Sequence, residues 1–186
     1  MRIGVFGGEF DPPHVGHLVI AQEARYRLEL DRLLVVPPAS PPHRAPSAVP
    51  AEIRLRLAEA AFAGEPDTQV SRIELERPGP SYTVDTLEQL AAPDVELFLV
   101  LGADQLAAIG HWHRPDRVRE LAQLAVAGRP GVDPPAAADI VLTSPLLDVS
   151  STEIRRRIAA GAPVHHLVPE AVLELIQAEG LYAERP

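Results

Sequence analysis

Cysteine and lysine are both absent from this chain of 186 residues, and each absence excludes a class of chemistry. Without cysteine there are no disulfides, no thiolate catalysis and no sulfur-ligated metal site. Without lysine there is no P-loop, whose lysine reaches the β- and γ-phosphates, and no lysine Schiff base. All 17 basic residues are arginine. An anionic ligand must therefore meet a local cationic pocket that is built without lysine.

Long apolar runs are missing as well. No stretch approaches the 18 or more apolar residues of a membrane span, and the apolar run Met1–Phe6 lacks the h-region and cleavage site of a signal peptide. We therefore expect a cytoplasmic protein without a membrane partner. The net charge of −9 argues against nucleic acid as a partner, because broad nucleic-acid binding needs a basic surface.

The length and the apolar content of 46% favour one folded domain over residues 1–186, and the sequence leaves a homo-oligomer open. Short β-prone runs alternate with segments of helical apolar spacing. The predicted strands are Ile3–Phe6, Leu33–Val36, Val70–Leu75, Glu96–Leu101, Leu124–Ala127 and Ile140–Leu142. The predicted helices are Leu18–Leu30, Ala51–Ala63, Thr83–Leu90, Arg117–Leu121, Ser151–Ala160 and Pro169–Glu179. This alternation predicts an α/β fold with a doubly wound, mostly parallel sheet that binds ligands beyond the carboxyl ends of its strands.

The first predicted strand runs into a glycine turn with two histidines and then a helix. Gly7 and Gly8 let a backbone approach a ligand closely, and the helix start offers free N–H groups to a phosphate. His14 and His17 would project together at that end, where two imidazoles can stabilise charge on a transferring phosphoryl group. The alternatives are a plain turn with capping histidines, and a His-x-x-His metal pair, for which no third ligand is evident nearby.

The string Gly7-Gly-Glu-Phe-Asp-Pro-Pro-His-Val-Gly-His17 resembles the GG(T/S)FDPxHxGH signature of the nicotinate-nucleotide adenylyltransferases, a family of the HxGH nucleotidyltransferase superfamily. The family usually has Thr or Ser where this chain has Glu9, and we expect that carboxylate to point away from the phosphates. Further strings follow in the family's order and extend the resemblance over essentially the whole chain: Arg77–Thr86 (RxGPSYTxDT), Leu101–Asp104 (LGxD), Trp112–Arg114 (WxR), Val149–Arg157 (ISSTxIR) and Glu179–Tyr182.

Each of these strings also has a structural interpretation. Ser150 and Glu153 fit a capping box, Ser81 or Thr83 could cap the next helix, and the single tryptophan, Trp112, could simply fill the core. The proline-rich segment that ends in His43 and Arg44 could be a surface connection, and Asp104 and Arg129 could be solvated.

The resemblance implies a Rossmann-like nucleotidyltransferase fold and a reaction in which nicotinate mononucleotide attacks the α-phosphorus of ATP, with pyrophosphate leaving. Magnesium would be bound mainly through the ATP phosphates. The implied catalytic residues are His14, His17 and Arg155. The implied ATP-binding residues are Gly7, Gly8, Phe10, His14, His17, Gly102, Asp104, Ser151, Thr152 and Arg155. The implied substrate-binding residues are His43, Arg44, Tyr82, Thr83, Trp112 and Arg129.

Three other functions remain open at this point. A sister transferase could act on phosphopantetheine or on nicotinamide mononucleotide, although a flat aromatic pocket favours a pyridine ring. A class I aminoacyl-tRNA synthetase shares HxGH, but it is much larger and normally uses a lysine-bearing motif that this chain cannot supply. A non-catalytic nucleotide sensor could keep the fold, and an intact pair of histidines argues against it.

Overall fold

Six strands form one parallel sheet in a computed structural model that describes residues 1–42, 47–128, 138–143, 145 and 147–183. The strands are β1 Arg2–Gly7, β2 Arg32–Val36, β3 Thr68–Val70, β4 Glu96–Gly102, β5 Ala122–Gly128 and β6 Ile140–Thr143. Their order across the sheet is β3-β2-β1-β4-β5-β6, and every neighbouring pair is parallel. The predicted doubly wound α/β sheet is therefore confirmed.

The helices cover both faces of the sheet. They are α1 Val15–Arg27, α2 Ala51–Phe62, α3 Thr83–Leu90, α4 Ala103–Ala108, α5 Pro115–Leu121, α6 Ser151–Ala159 and α7 Glu170–Ala178, with a 3₁₀ turn at Ile109–His111. One core packs β-strand side chains such as Phe6 and Phe98 against α1, α2, α6 and α7. The other packs Val5 and Leu99 against α3, α4 and α5. Two-sided burial explains why β1 and β4 are continuous apolar runs. None of the described helices is long and apolar enough to cross a membrane.

The predicted strand Val70–Leu75 is wrong in its bounds. The strand is Thr68–Val70, and the chain then leaves the sheet through turns. Val70, Ile73 and Leu75 do not alternate with period two, so they cannot all face one side of a strand. The departure places the carboxyl group of Glu74 in the interior, where it is 7% exposed.

The predicted helices differ from the structure in their bounds, except for Thr83–Leu90, and the largest differences concern α1 and α4. The first helix begins at Val15 rather than Leu18, with His14 as its N-cap residue. Both histidines therefore belong to the helix start itself, since His17 is the third residue of α1. The short helix α4, which was not predicted, directly follows β4. Its six residues are too few to show a helical apolar period.

The chain leaves β1 and β4, which are neighbours in the sheet, toward opposite faces. Helix α1 follows β1 into the first core, and α4 follows β4 into the second. In open α/β sheets such a switch point leaves a crevice beyond the carboxyl ends of the two strands.

Candidate active site

A cleft of about 1080 Å³ occupies that crevice, bordered by the last residues of β1, β2, β4 and β5. It brings together all the residues that the resemblance assigned to ATP or substrate and that the structure describes: Gly7, Gly8, Phe10, His14, His17, Tyr82, Thr83, Gly102, Asp104, Trp112, Ser151, Thr152 and Arg155. His43, Arg44 and Arg129 lie outside the described residues. The roles of all these residues stay predictions, since a shared cleft does not assign a contact.

The two histidines of the cleft are held against each other by the helix start. The ring centroids of His14 and His17 lie 3.8 Å apart, and the backbone N–H of His14 donates to Nδ1 of His17 at 3.2 Å. Because Nδ1 accepts, the proton of a neutral His17 ring is on Nε2. Phe10, which is 1% exposed, supports the His17 ring at a centroid distance of 5.0 Å. Its burial makes Phe10 a support for the site.

Burial keeps both imidazoles uncharged. It lowers the pKa of His14 to about 4, and burial together with the charge of His14 holds the pKa of His17 well below its usual range. At neutral pH the pair therefore offers N–H donors to a ligand rather than two positive charges. Among the described residues that border the cleft, Arg155 supplies the positive charge.

The glycines of the loop serve different purposes. A Cβ atom added to Gly7 would meet no described atom within 4 Å, which leaves the backbone open to a ligand. A Cβ at Gly8 would lie 3.0 Å from the ring of Phe10, and one at Gly16 would lie 3.0 Å from Nδ1 of His14. A side chain at Gly8 or Gly16 would therefore crowd the ring of Phe10 or of His14 and displace it.

Helix α6 is tied directly to the loop that precedes the histidines. Ser150 caps the helix by accepting from the N–H of Glu153 at 3.2 Å. The hydroxyl of Ser151 donates to the carbonyl of Pro12 at 2.9 Å. Arg155 donates from Nη1 to the carbonyl of Asp11 at 2.6 Å and from Nη2 to the hydroxyl of Thr152 at 3.3 Å. The guanidinium is thereby positioned before any ligand arrives.

The opposite end of the cleft is formed by the start of α3 and the segment after α4. Tyr82 is the N-cap residue of α3, and no side chain caps that helix. The hydroxyl of Ser81, one of the two predicted caps, instead accepts from the N–H groups of Ala39 and Ser40 at 3.0 and 3.1 Å. The ring of Tyr82 lies against that of His113, with centroids 4.3 Å apart. This end therefore offers rings and an uncapped helix start.

Comparison with known proteins gives the family. The Cytidylyltransferase-like family model matches residues 5–157. A probable nicotinate-nucleotide adenylyltransferase of Thermus thermophilus is 46% identical, over 98% of this chain and 100% of its own length. That of Exiguobacterium sibiricum is 42% identical, with the same coverage of both chains. The chain belongs to the nicotinate-nucleotide adenylyltransferase family.

The fold agrees with that of solved structures at low sequence identity. The nicotinic acid mononucleotide adenylyltransferase of Plasmodium falciparum, solved in complex with NaAD, superposes with a TM-score of 0.79 at 16% identity. The match covers 97% of both chains. The nucleotidyltransferase architecture implied by the sequence is therefore confirmed.

Two buried carboxyl groups of this family member were not singled out from its sequence. Asp11, 7% exposed, accepts from the phenol of Tyr182 at 2.6 Å and from the hydroxyl of Ser47 at 2.8 Å. Asp11 and Tyr182 both belong to strings that resemble the family, but nothing in those strings shows that residues 171 positions apart touch.

The second carboxyl group lies beneath the start of α3. Glu74 accepts from the hydroxyl of Thr86 at 2.7 Å, and burial raises the pKa of its carboxyl group. Arg77 donates to the hydroxyl oxygen of Thr86 and to the carbonyl of Tyr82, both at 3.3 Å. Glu74 stands in a segment that also carries Arg72, Glu76 and Arg77, and nothing in this run of charged residues marks Glu74 as the buried one.

Proposed function

We propose that this chain transfers the adenylyl group of ATP to nicotinate mononucleotide, giving deamido-NAD and pyrophosphate, as a step of NAD biosynthesis in the cytoplasm. The names of its relatives support the reaction, at 42–46% identity over nearly the whole chain. The structural observation that carries the proposal is the neutral His17, whose Nε2–H shares a cleft with the preset guanidinium of Arg155.

At the nucleotide end, catalysis consists of positioning and charge stabilisation. The mononucleotide phosphate attacks the α-phosphorus of ATP in line, and no covalent enzyme intermediate is needed. The N–H donors of His14 and His17 and the charge of Arg155 face the triphosphate, where they stabilise charge on the leaving pyrophosphate. Thr152 adds a hydroxyl, and Asp104, after β4, is suited to accept from a ribose.

At the pyridine end, the turn at Tyr82 and Thr83 holds the acid group of nicotinate. The start of α3 carries N–H groups and the positive end of the helix dipole, which suit a carboxylate with two acceptor oxygens. Trp112 is partly exposed on the same side of the cleft and can stack on the ring. Stacking does not distinguish acid from amide, so selectivity comes from the turn.

Magnesium enters as part of the ATP substrate in this proposal. Among the described residues no group of three or more His, Cys, Asp or Glu side chains could hold a metal. Mg²⁺ at nucleotide sites usually keeps several waters and binds substrate phosphates, so the residues of the cleft fit an ion that phosphate oxygens and water hold. When bound, the ion neutralises charge on the leaving pyrophosphate.

The test is a two-by-two assay of purified enzyme, with ATP or CTP against nicotinate or nicotinamide mononucleotide and pyrophosphate release as the readout. We expect turnover with ATP, and a kcat/KM at least about tenfold higher for the acid than for the amide, because a hydrogen bond to a charged group contributes ~1.5–3 kcal/mol. Equal or reversed values would contradict the nicotinate assignment alone. No pyrophosphate release with any pair would favour a nucleotide sensor.

A further inference from the structure

The carboxylate of Asp11 lies between the cleft and the C-terminal segment of the chain. Its Oδ1 accepts from the phenol of Tyr182 at 2.6 Å, and its Oδ2 accepts from the hydroxyl of Ser47 at 2.8 Å. The guanidinium of Arg155, which borders the cleft, is 3.9 Å from Oδ2. Each carboxylate oxygen of Asp11 therefore accepts from an uncharged hydroxyl, while the charged guanidinium of Arg155 stays at the limit of ion-pair distance.

This arrangement depends on the phenol remaining a donor. Burial and the hydrogen bond to Asp11 raise the pKa of Tyr182 far above its ordinary value, so the hydroxyl keeps its proton. If the hydroxyl were removed, one oxygen of a carboxylate that is only 7% exposed would lose its donor. A buried charged acceptor without a partner is costly, so the carboxylate would turn toward another donor.

Among the described residues, two arginines lie near Asp11, Arg54 and Arg155, and only one of these two can take that place. Each of the three guanidinium nitrogens of Arg54 already donates to a backbone carbonyl, those of Val49, Glu9 and Pro38, at 3.3, 3.2 and 2.7 Å. Its burial also fixes it there, since the side chain is 3% exposed. The side chain of Arg155 is 37% exposed and borders the cleft. A released carboxylate would therefore close on Arg155.

We infer that Tyr182 is a positioning residue for ATP: its phenol holds the Asp11 carboxylate away from Arg155, so that the guanidinium remains available to the triphosphate. The inference rests on the proposed function only for the use of ATP. It gives the C-terminal segment a part in nucleotide binding. This part does not require Tyr182 to contact the ligand.

The variant Tyr182→Phe removes the hydroxyl and keeps the ring. We expect the Kd for ATP, measured by calorimetry, and the KM for ATP to rise about three- to tenfold, because ATP must then displace an ion pair from Arg155. The KM for nicotinate mononucleotide should change less than twofold. Tyr26→Phe is the matched control, since Tyr26 is 80% exposed on α1 and should leave both constants unchanged.

A double-mutant cycle separates this role from a merely structural one. In an Asp11→Asn background no carboxylate competes for Arg155, so adding Tyr182→Phe should change the Kd for ATP less than twofold. The amide oxygen introduced by Asp11→Asn can still accept from the phenol, so a purely structural tie predicts a similar loss in both backgrounds. An equal loss in the two backgrounds, or an unchanged Kd in Tyr182→Phe alone, would overturn the inference.

A second variant keeps the test decisive if Tyr182→Phe does not fold. Ser47→Ala frees the other carboxylate oxygen, and it should weaken ATP binding in the same direction and lose that effect with Asp11→Asn. Calorimetry with ATP alone requires no second substrate. A wild type that binds ATP but fails to use nicotinate mononucleotide would contradict the proposed reaction and still allow the cycle to be measured.

Discussion

At the proposed nucleotide end of the cleft, backbone groups hold the side chains that we assign to the ligand, whereas at the proposed pyridine end buried side chains hold the backbone that we assign to it. The N–H of His14 fixes the ring of His17, and the carbonyl of Asp11 fixes Arg155. At the other end Glu74 and Arg77 hold the turn at Tyr82 through Thr86 and the Tyr82 carbonyl. Backbone groups thus support side chains at one end of the cleft, and side chains support the backbone at the other end.

This difference has a consequence for mutation. In the proposed reaction, a side-chain deletion at the nucleotide end removes a ligand contact itself, so the loss should appear in turnover or in ATP binding. At the pyridine end, the side chains that can be deleted lie mostly behind the contact. The loss there should be smaller and confined to the mononucleotide.

The largest expected effect is that of His17→Ala, which should lower kcat about 10²–10³-fold because it removes one donor to developing charge. The melting temperature should also fall, because the ring packs on Phe10 and accepts from the N–H of His14, so turnover is compared at a temperature where circular dichroism shows the variant folded. His165→Ala, at an exposed histidine outside the cleft, is the matched control. A folded His17→Ala enzyme with near-normal turnover would show that the nucleotide end does not act through this imidazole.

The next effect separates two adjacent arginines of α6. Arg155→Ala should raise the KM for ATP about tenfold, the lower end of what a charged hydrogen bond contributes. Arg156→Ala should change it less than twofold, because Arg156 points away from the cleft, is 67% exposed and pairs with Glu153 at 2.7 Å. Steady-state kinetics on the two variants gives the answer. Equal effects would mean that α6 supplies general positive charge and no directed contact.

The pyridine end is tested by Glu74→Gln, at a buried side chain that supports the turn and borders the cleft. The new amide would bring N–H donors to a place where the Thr86 hydroxyl already donates, so the turn at Tyr82 should shift. We expect the KM for nicotinate mononucleotide to rise roughly threefold to tenfold and the preference for acid over amide to fall, with the KM for ATP nearly unchanged. Glu76→Gln, whose side chain is 70% exposed, is the control.

A different result would revise the comparison between the two ends. If Glu74→Gln raised the KM for both substrates equally, the turn would support the whole cleft. If it changed neither, the start of α3 would hold its shape without the buried carboxylate.

The sequence predicted the strands of the sheet interior well, because β1, β2, β4 and β5 are buried on both faces and read as continuous apolar runs. The prediction of the edge strand β3 was wrong in its bounds. The strand has only three residues, and the apolar residues that follow it lie in turns. Short helices such as α4 carry too few residues for a period.

The sequence predicted those parts of the candidate site whose residues lie together in one motif. It did not predict the residues that hold the site in place from distant segments of the chain. The histidine loop and the Ser-Ser-Thr string could be placed from their order in the chain. The contacts of Tyr182 with Asp11 and of Glu74 with Thr86 depend on how the helices pack. No local spacing encodes them, since hydroxyl–carboxylate pairs carry no sequence period.

The smallest expected effect concerns stability, and it again distinguishes the two ends. Burial lowers the pKa of His14 to about 4, from an ordinary value of 6.5. Between these two pH values the unfolded chain binds a proton at this residue and the folded chain does not. The unfolded state then binds more protons in that window, and the free energy of unfolding falls as the pH drops from 6.5 toward 4.

Between pH 7.5 and 5.5 this imidazole alone should account for about 1 kcal/mol of that loss. Urea titrations at the two pH values measure it, and the variant His14→Gln should lose less stability than the wild type by about that amount, because glutamine does not titrate. His113→Gln, at an exposed histidine of the pyridine end, should keep the wild-type loss. An equal loss in wild type and His14→Gln would mean that folding does not lower the pKa of His14, and the imidazole would then gain a proton in the folded protein as the pH falls through 6.5.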